Sequence, residues 1–558
     1  MDKLLHHYEQ ELGRLRQAAR EYAQAHPGTA EALELGPDAS TDPEVERLLQ
    51  SVAVLNASMQ QMIEQGRSEF HQALLQTLQP HYLRAVPASC IVQVDTSSAN
   101  YNGINSVARI PRGSAMTSGA SKFTTAYEVC IAPVAIPHAK FRPTINVPAT
   151  LRLPSDAISS LCVTLEAKSD SMSFERPFLP KLRICITGEA ALRAALVDAV
   201  LLRCLCVCVE VGGIWKVLEG RLFSKAGFDR CEALLPAMAG EQAFRILSEY
   251  LHLPEKFDFF DIDLTQLAAS CRPGSRRVNL HIVLPDSVAI MRNVCATNFQ
   301  LSCTPSINLF CGPALQVRLD GRKDAYPLAT GMPGCEIYSV DSVSLTDRTG
   351  GAAVLPFHGT NHDADGMCWK LDEQEGCAIA LVDREQGPAK LEHGTALVEI
   401  TCTGSESIQV DDALKTEMGT GGFPVRFLLM PRKTTPCGDA SALLESMLLS
   451  AISLESLRTL FHLHQFKEVD AFERLDSEAA AAWMDLPIGR VHMLGTAYSL
   501  TVDENMLRER SLAVLAEVME HLLASKTREN RFIQLRLLQN GGKPIYRGEP
   551  RVGGQGIV

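Results

Sequence analysis

Two apolar stripes in the first ninety residues constrain this chain more than any other feature. Leu5, Tyr8, Leu12, Leu15, Ala19 and Tyr22 recur at alternating steps of three and four, and Val45, Leu48, Val52, Leu55, Met59 and Met62 repeat the pattern. That spacing puts each set on one side of a helix, and the surrounding Glu, Gln and Arg give each the form of a heptad seam. Asp42-Pro43-Glu44 predicts a clean start for the second helix, because a carboxylate accepts from free N–H groups and proline suits the first helical position. A third helix is predicted on Phe70, Leu74, Leu75 and Leu78, with Pro80 closing it. Gly28 to Ser40, small and polar, reads as the loop joining the first two helices. Such seams serve either an intramolecular bundle or other chains. A module built mainly of seams, without reactive residues, is well suited to joining other chains.

Beyond this segment the period changes to two. Cys90 to Val94 reads as a strand, Arg109 to Gly113 as strand and turn, and Phe123 to Ile131 as one further strand. Ala157 to Glu166 and Lys181 to Thr187 continue the β-rich region, followed by a helix over Ala190 to Val200 and an apolar strand over Leu201 to Val211. Another helix is expected near Glu241 to Tyr250, and a strand from Arg277 to Leu284. Further strands are expected at Tyr338 to Val343, Cys377 to Val382, Leu397 to Thr401 and Val425 to Met430. Helix returns over Ala442 to Leu463 and again from about Glu504 to Ala524, before a tail of strand, Gly541-Gly542 turn and strand.

The fold class expected is therefore α+β and multidomain: an N-terminal helical bundle segment, β-rich middle domains and a mixed α/β C-terminal domain. At 558 residues the chain exceeds what one core usually supports. We divide it into a helical region 1–88, a β-rich first domain 89–275, a β-rich middle domain 276–435 and a mixed C-terminal domain 436–558.

A net charge of -12 argues against a nucleic-acid or anionic-membrane surface. The most apolar window, Ala190 to Val211, is interrupted by Arg193, Asp198, Arg203 and Glu210, which fits a buried helix and strand better than a span. Met1 to His7 runs into polar helix with no secretory signal, so a cytosolic protein is expected. The 17 cysteines are scattered, several where Val or Ala would serve, and read as reduced buried thiols.

Chemistry is sparse. Neither a phosphate-cradling Gly-rich loop with Lys-Ser/Thr, nor His-Glu-x-x-His, nor Gly-x-Ser-x-Gly is present. Cys204, Cys206 and Cys208 would line one face of a strand, spaced too widely for a tetrahedral set unless a partner strand contributes. His462 and His464 are expected on different sides of a helix, and His6 and His7 at the surface. Asp363, Asp365 and Gly366 invite a calcium reading, but the acidic series is too short for an EF-hand. Cys368 and Cys377 flank a turn and are expected to stay reduced. No catalytic, cofactor-binding or metal residue is assigned. Tyr250 to Phe260 packs four aromatics and a proline into eleven residues, and reads as a core wedge in preference to a contact surface.

Four passages carry a family resemblance. They are Asp42-Pro43-Glu44-Val45-Glu46-Arg47-Leu48-Leu49-Gln50 with Pro80-His81-Tyr82-Leu83; Ile110-Pro111-Arg112-Gly113 with Phe123 to Val129; Leu247-Ser248-Glu249-Tyr250 through Pro254-Glu255-Lys256-Phe257; and Cys303-Thr304-Pro305-Ser306-Ile307-Asn308-Leu309-Phe310 with Tyr338 to Val343. In this order they resemble the TssF family, also called VasA or ImpG, of type VI secretion baseplate wedge subunits. The later half departs from the pattern: Cys402-Thr403-Gly404-Ser405-Glu406-Ser407 replaces an Asn-Arg-x-Leu-Pro passage, and the usual late tryptophans are missing, Tyr546 standing in one place.

The resemblance implies a non-enzymatic structural scaffold without cofactors, cytoplasmic and recruited to the inner-membrane-anchored secretion complex. It implies wedges built with TssG, TssK, TssE and a second copy of the chain, around the spike hub and beneath the sheath. A wedge protein of a prophage or other contractile injection particle shares this architecture, and an enzyme with an unfamiliar site is the remaining alternative.

Overall fold

The computed structural model describes residues 2–32, 42–78, 84–95, 107–118, 121–148, 150–169, 172–218, 220–236, 242–320, 324–347, 350–356, 368–372, 377–382, 394–404, 414–416, 423–434, 440–448, 452–487, 489–528 and 530–554. The chain divides into two compact units: 1–83 with 439–445, and 84–438 with 446–558. N-terminal helices, an extensive β-sheet middle and a mixed α/β C-terminal region make up the architecture that the sequence pattern leads one to expect.

In the first unit α1 spans Asp2–Ala25, α2 Pro27–Ala32 and α3 Pro43–Leu78. The expected second and third helices are one. Gly66 lies inside α3, and helical hydrogen bonds run past it, because one glycine costs only about 1 kcal/mol in a helix this long. At 36 residues α3 is roughly 54 Å long. The Asp42 carboxylate accepts from the Glu44 N–H at 2.8 Å, capping α3 as expected. Part of the predicted loop after Gly28 is the short helix α2; 33–41 lie outside the described residues. α1 runs antiparallel to α3, since Arg16 pairs with Glu46 (2.5 Å) and His7 with Glu64 (3.2 Å).

The second unit is organised by sheets. A closed barrel takes its strands in the order Ser89–Val94, Cys303–Ile307, Ser121–Thr125, Ala115–Ser118, Leu414–Thr416 and Pro424–Arg432. Alternate residues Cys90, Val92, Met116, Phe123 and Val425 fill it, because the pleat sends every second side chain inward. A five-stranded antiparallel sheet runs Ile214–Leu218, Cys206–Val211, Arg277–Leu284, Ser159–Ala167, Val134–Arg142, and a four-stranded one Phe223–Lys225, Phe259–Asp263, Lys181–Ile186, Phe299–Gln300. A larger sheet is built around Cys335–Asp347 and Gly394–Gly404, with Trp369, Ile379, Val398 and Ile400 in its core. The predicted strand over Phe123 to Ile131 is two strands, Ser121–Thr125 and Val129–Ile131. Between them Tyr127 turns inward, and its hydroxyl donates to the Lys256 carbonyl at 2.8 Å.

Helices α4 (Ala190–Leu201), α5 (Gln242–His252) and α6 (Leu264–Ala268) connect these sheets. The predicted long helix over Ala442 to Leu463 is α7 (Ala440–Leu448) and α8 (Leu454–Leu463), the latter capped by Ser453. The last helix, α9 (Leu512–Ser525), begins eight residues later than expected, where the Ser511 side chain accepts from the Val514 N–H. A long hairpin, Phe472–Leu486 with Gly489–Val502, has no counterpart in the sequence reading; its second strand runs parallel to Phe532–Gln539, with α9 as the crossover. Among the described residues no helix is long and apolar enough to cross a membrane.

Candidate assembly interface

The first helical seam lies partly against α3: Tyr8, Leu12, Leu15 and Ala19 are half-buried, while Leu5 and Tyr22 are exposed. On α3 the outcome differs. Its buried face is made by Ala53 and Ala57, both 0% exposed, which admit α1 closely. The heptad stripe faces away: Leu48 is 67% exposed, Leu55 64%, Met59 61% and Met62 70%, with Val52 also open and Val45 half-buried. Ile63 and Phe70 extend the same exposure toward the C-terminal half of α3. Sequence periodicity found the stripe; what it missed is that two alanines four residues apart make the contact within the chain. A stripe of this length is more than single scattered exposed hydrophobics account for. Each of these side chains gains about 1.5–3 kcal/mol on full burial, so the open seam is a strong drive toward association.

The second unit is held by buried charge as well as by apolar packing. Glu249 on α5 accepts from the Leu234 and Leu235 N–H groups (2.8 and 2.9 Å), from Arg245 (2.9 Å) and from Lys256 (2.7 Å). Burial by itself would raise the Glu249 carboxyl; Lys256 and Arg245 outweigh it and hold it below the usual carboxylate range. The Lys256 ammonium, fully buried, also donates to the Gly227 carbonyl at 2.5 Å and lies 4.5 Å from the Phe257 ring. Arg183 grips Asp261 through two bonds of 2.7 and 2.9 Å and also pairs with Glu232. Around this network Tyr250, Phe257, Phe259 and Phe260 are all buried, so the aromatic segment is core. Asp198 on α4 accepts from Ser511 Oγ (2.6 Å) and from the Leu512 and Ala513 N–H groups, tying α4 to the start of α9.

The sequence candidates for chemistry disperse. Cys206 and Cys208 lie on one strand and Cys204 precedes it; burial raises all three thiols, the first cause in each case. Among the described residues no group of three or more His, Cys, Asp or Glu is arranged to hold a metal ion. His462 is exposed on α8, whereas His464, its C-cap, packs against His252 with ring centroids 5.9 Å apart. His6 is exposed, while His7 is turned toward Glu64. In the hairpin Cys368–Asp372 with Ala378–Val382, Cys368 sits opposite Val382 and Cys377 adjoins Ala378 at the other end, which separates the two thiols. Asp363, Asp365 and Gly366 lie outside the described residues.

A body of several sheets, in one chain with a helix pair whose apolar seam is uncovered, defines a building block of a larger assembly. The family model for the type VI secretion system component TssF matches residues 1–555, and the chain belongs to that family. It is 24% identical, over 98% of either chain, to the type VI secretion system component TssF1 of Pseudomonas aeruginosa. Its fold matches a chain of the type VI secretion TssK-TssF-TssG baseplate subcomplex with a TM-score of 0.69 and 23% identity, covering 91% of this chain and 100% of that one. A second match, to a chain of the type VI secretion baseplate complex, has a TM-score of 0.51 and 18% identity over 99% of both.

Proposed function

We propose that this chain is a structural scaffold of the type VI secretion baseplate, forming a wedge with TssG and TssK to which TssE and a second copy of the chain also belong. The observation that carries the reading is the uncovered seam of α3 in a chain whose fold matches a subunit of a TssK-TssF-TssG subcomplex. A TssG-like partner supplies the helices that cover Leu48, Leu55, Met59 and Met62, by knobs-into-holes packing. The sheets of the second unit supply separate surfaces for the other neighbours, so mechanism here means fixed placement, with firing transmitted as a change at those interfaces. Its place is cytoplasmic, on the inner-membrane-anchored complex. We divide it as 1–88, 89–275, 276–435 and 436–558, a working division for truncation.

The test is co-expression with the neighbouring subunits. Leu48→Asp with Leu55→Asp abolishes co-purification of the TssG-like partner while the chain keeps its circular dichroism and thermal midpoint. Wedge assembly that survives the double substitution removes the seam from the mechanism.

A further inference from the structure

Continuing the alternation of three and four along α3 past Met62 lands on Gly66, so a glycine holds the next step of the seam. Gly66 lies two and a half turns, about 180°, beyond Ala57 and therefore on the side away from α1, and it is exposed. The fold asks for no glycine there. Its backbone is helical, and a Cβ would meet no heavy atom of the described residues within 4 Å, so alanine would only strengthen the helix.

The neighbours of Gly66 on the helix surface are large and exposed: Met62 and Ile63 one turn before it, Met59 two turns before and Phe70 one turn after. Met59, Met62, Ile63 and Gly66 are spaced as the four corners of the hole that receives one knob of a facing helix. With one corner lacking a side chain, the hole becomes a pit. Close crossing of two helix backbones needs small residues on successive turns, whereas Met62 and Phe70 stand four residues to either side of Gly66 and hold a facing backbone off. What fills the pit is therefore a side chain, and a large one. Two thioethers in its wall favour an aromatic ring, against which methionine sulfur packs well.

The rest of the stripe sets the chemistry around that ring. From Leu48 to Ile63 α3 has no charged residue; Arg47 and Glu64 bound the stretch. Heptad seams ordinarily select partners through charges beside the apolar line. Here those places are taken by Ser51, Asn56 and Ser58, and the two serine hydroxyls donate back to the Arg47 and Val54 carbonyls, both at 2.8 Å. Selection is left to shape. A charge on the facing helix at this level would be buried with no opposite charge to meet it.

We propose, resting on the seam reading above, that Gly66 is the specificity-determining position of α3: a pit that takes one aromatic side chain from an uncharged, apolar helix of a partner chain. The ring fixes the register, setting which turn of the partner lies against which turn of α3.

The experiment is co-expression with the TssG-like and TssK-like subunits, followed by competition capture of the wedge and by thermal unfolding of the lone full chain at high dilution. Gly66→Ala raises the melting midpoint of the lone chain while weakening capture, and Gly66→Leu, which fills the pit, weakens capture by roughly ten- to hundredfold with the chain still helical. Opposite signs in the two measurements separate a contact from a structural role. The photoreactive residue p-benzoylphenylalanine in place of Met62 then crosslinks to a helix of the TssG-like subunit beside an aromatic residue, and shortening that aromatic residue to alanine lessens the loss caused by Gly66→Leu. Unaltered capture in Gly66→Leu, alongside lost capture in Leu48→Asp with Leu55→Asp, overturns the pit and leaves the seam standing; capture that survives both removes the seam itself. A crosslink to a second copy of this chain, or to a stretch without an aromatic residue, also overturns the proposal.

Discussion

His252, at the end of α5, and His464, capping α8, meet edge to face, and both imidazoles are pushed down to about 4, chiefly by burial, with each other's charge adding to it at His464. The consequence for stability follows from the direction. An unfolded imidazole takes its proton near pH 6.5, whereas these two resist until about pH 4, so the unfolded chain binds more protons throughout that window. The contribution of these two rings to stability is complete above about pH 6.5 and is lost as the pH drops toward 4, by roughly 2–4 kcal/mol for each ring at the acid end. Denaturant midpoints measured across that range report it. Replacing both rings, by His252→Leu and His464→Leu, flattens the fall between about pH 6.5 and pH 4; a slope as steep as before would place the acid sensitivity elsewhere.

Among the elements, the C-terminal hairpin shows where sequence legibility ends. Arg277–Leu284 is found at its expected bounds because it is apolar, β-branched and bounded by turn residues. The strand Phe472–Leu486 carries four consecutive alanines, Ala479 to Ala482, a composition that favours helix, and it is a strand only because Gly489–Val502 pairs along its full length. The barrel was illegible for a related reason: Ser89–Val94 bonds to Cys303–Ile307, more than two hundred residues away, and nothing local announces such a partner. At Gly495 the pairing of the hairpin with Phe532–Gln539 sets a strict local demand: a Cβ there would collide with the carbonyl oxygen and ring of Phe532, its partner in register. Gly495→Val is therefore expected to cost about 2 kcal/mol or more and to speed amide exchange over 532–539, with the barrel unaffected.

For the molecule as a whole, the seam of α3 sets a conflict between solubility and assembly. Five exposed side chains, Leu48, Val52, Leu55, Met59 and Met62, are placed where the helix pair does not need them, since Ala53 and Ala57 already form the contact with α1. They cost the lone chain solubility, and in the wedge proposed above a TssG-like partner would cover them. The lone chain should then self-associate as its concentration rises, through stripes that pack without the correct register. Substituting Leu55→Lys and Met59→Lys should suppress that self-association in light scattering and, because neither residue is buried, leave the unfolding free energy of the helical unit within about 0.5 kcal/mol of the original. The same variant should fail to enter the wedge, since a lysine at two seam positions leaves charges buried against the partner's apolar face. Improved solubility and lost assembly have to appear together, because both follow from one surface. A variant that unfolds the helices would show that the stripe is covered within the chain, and one that stays soluble yet still assembles would move the partner's contact to another face.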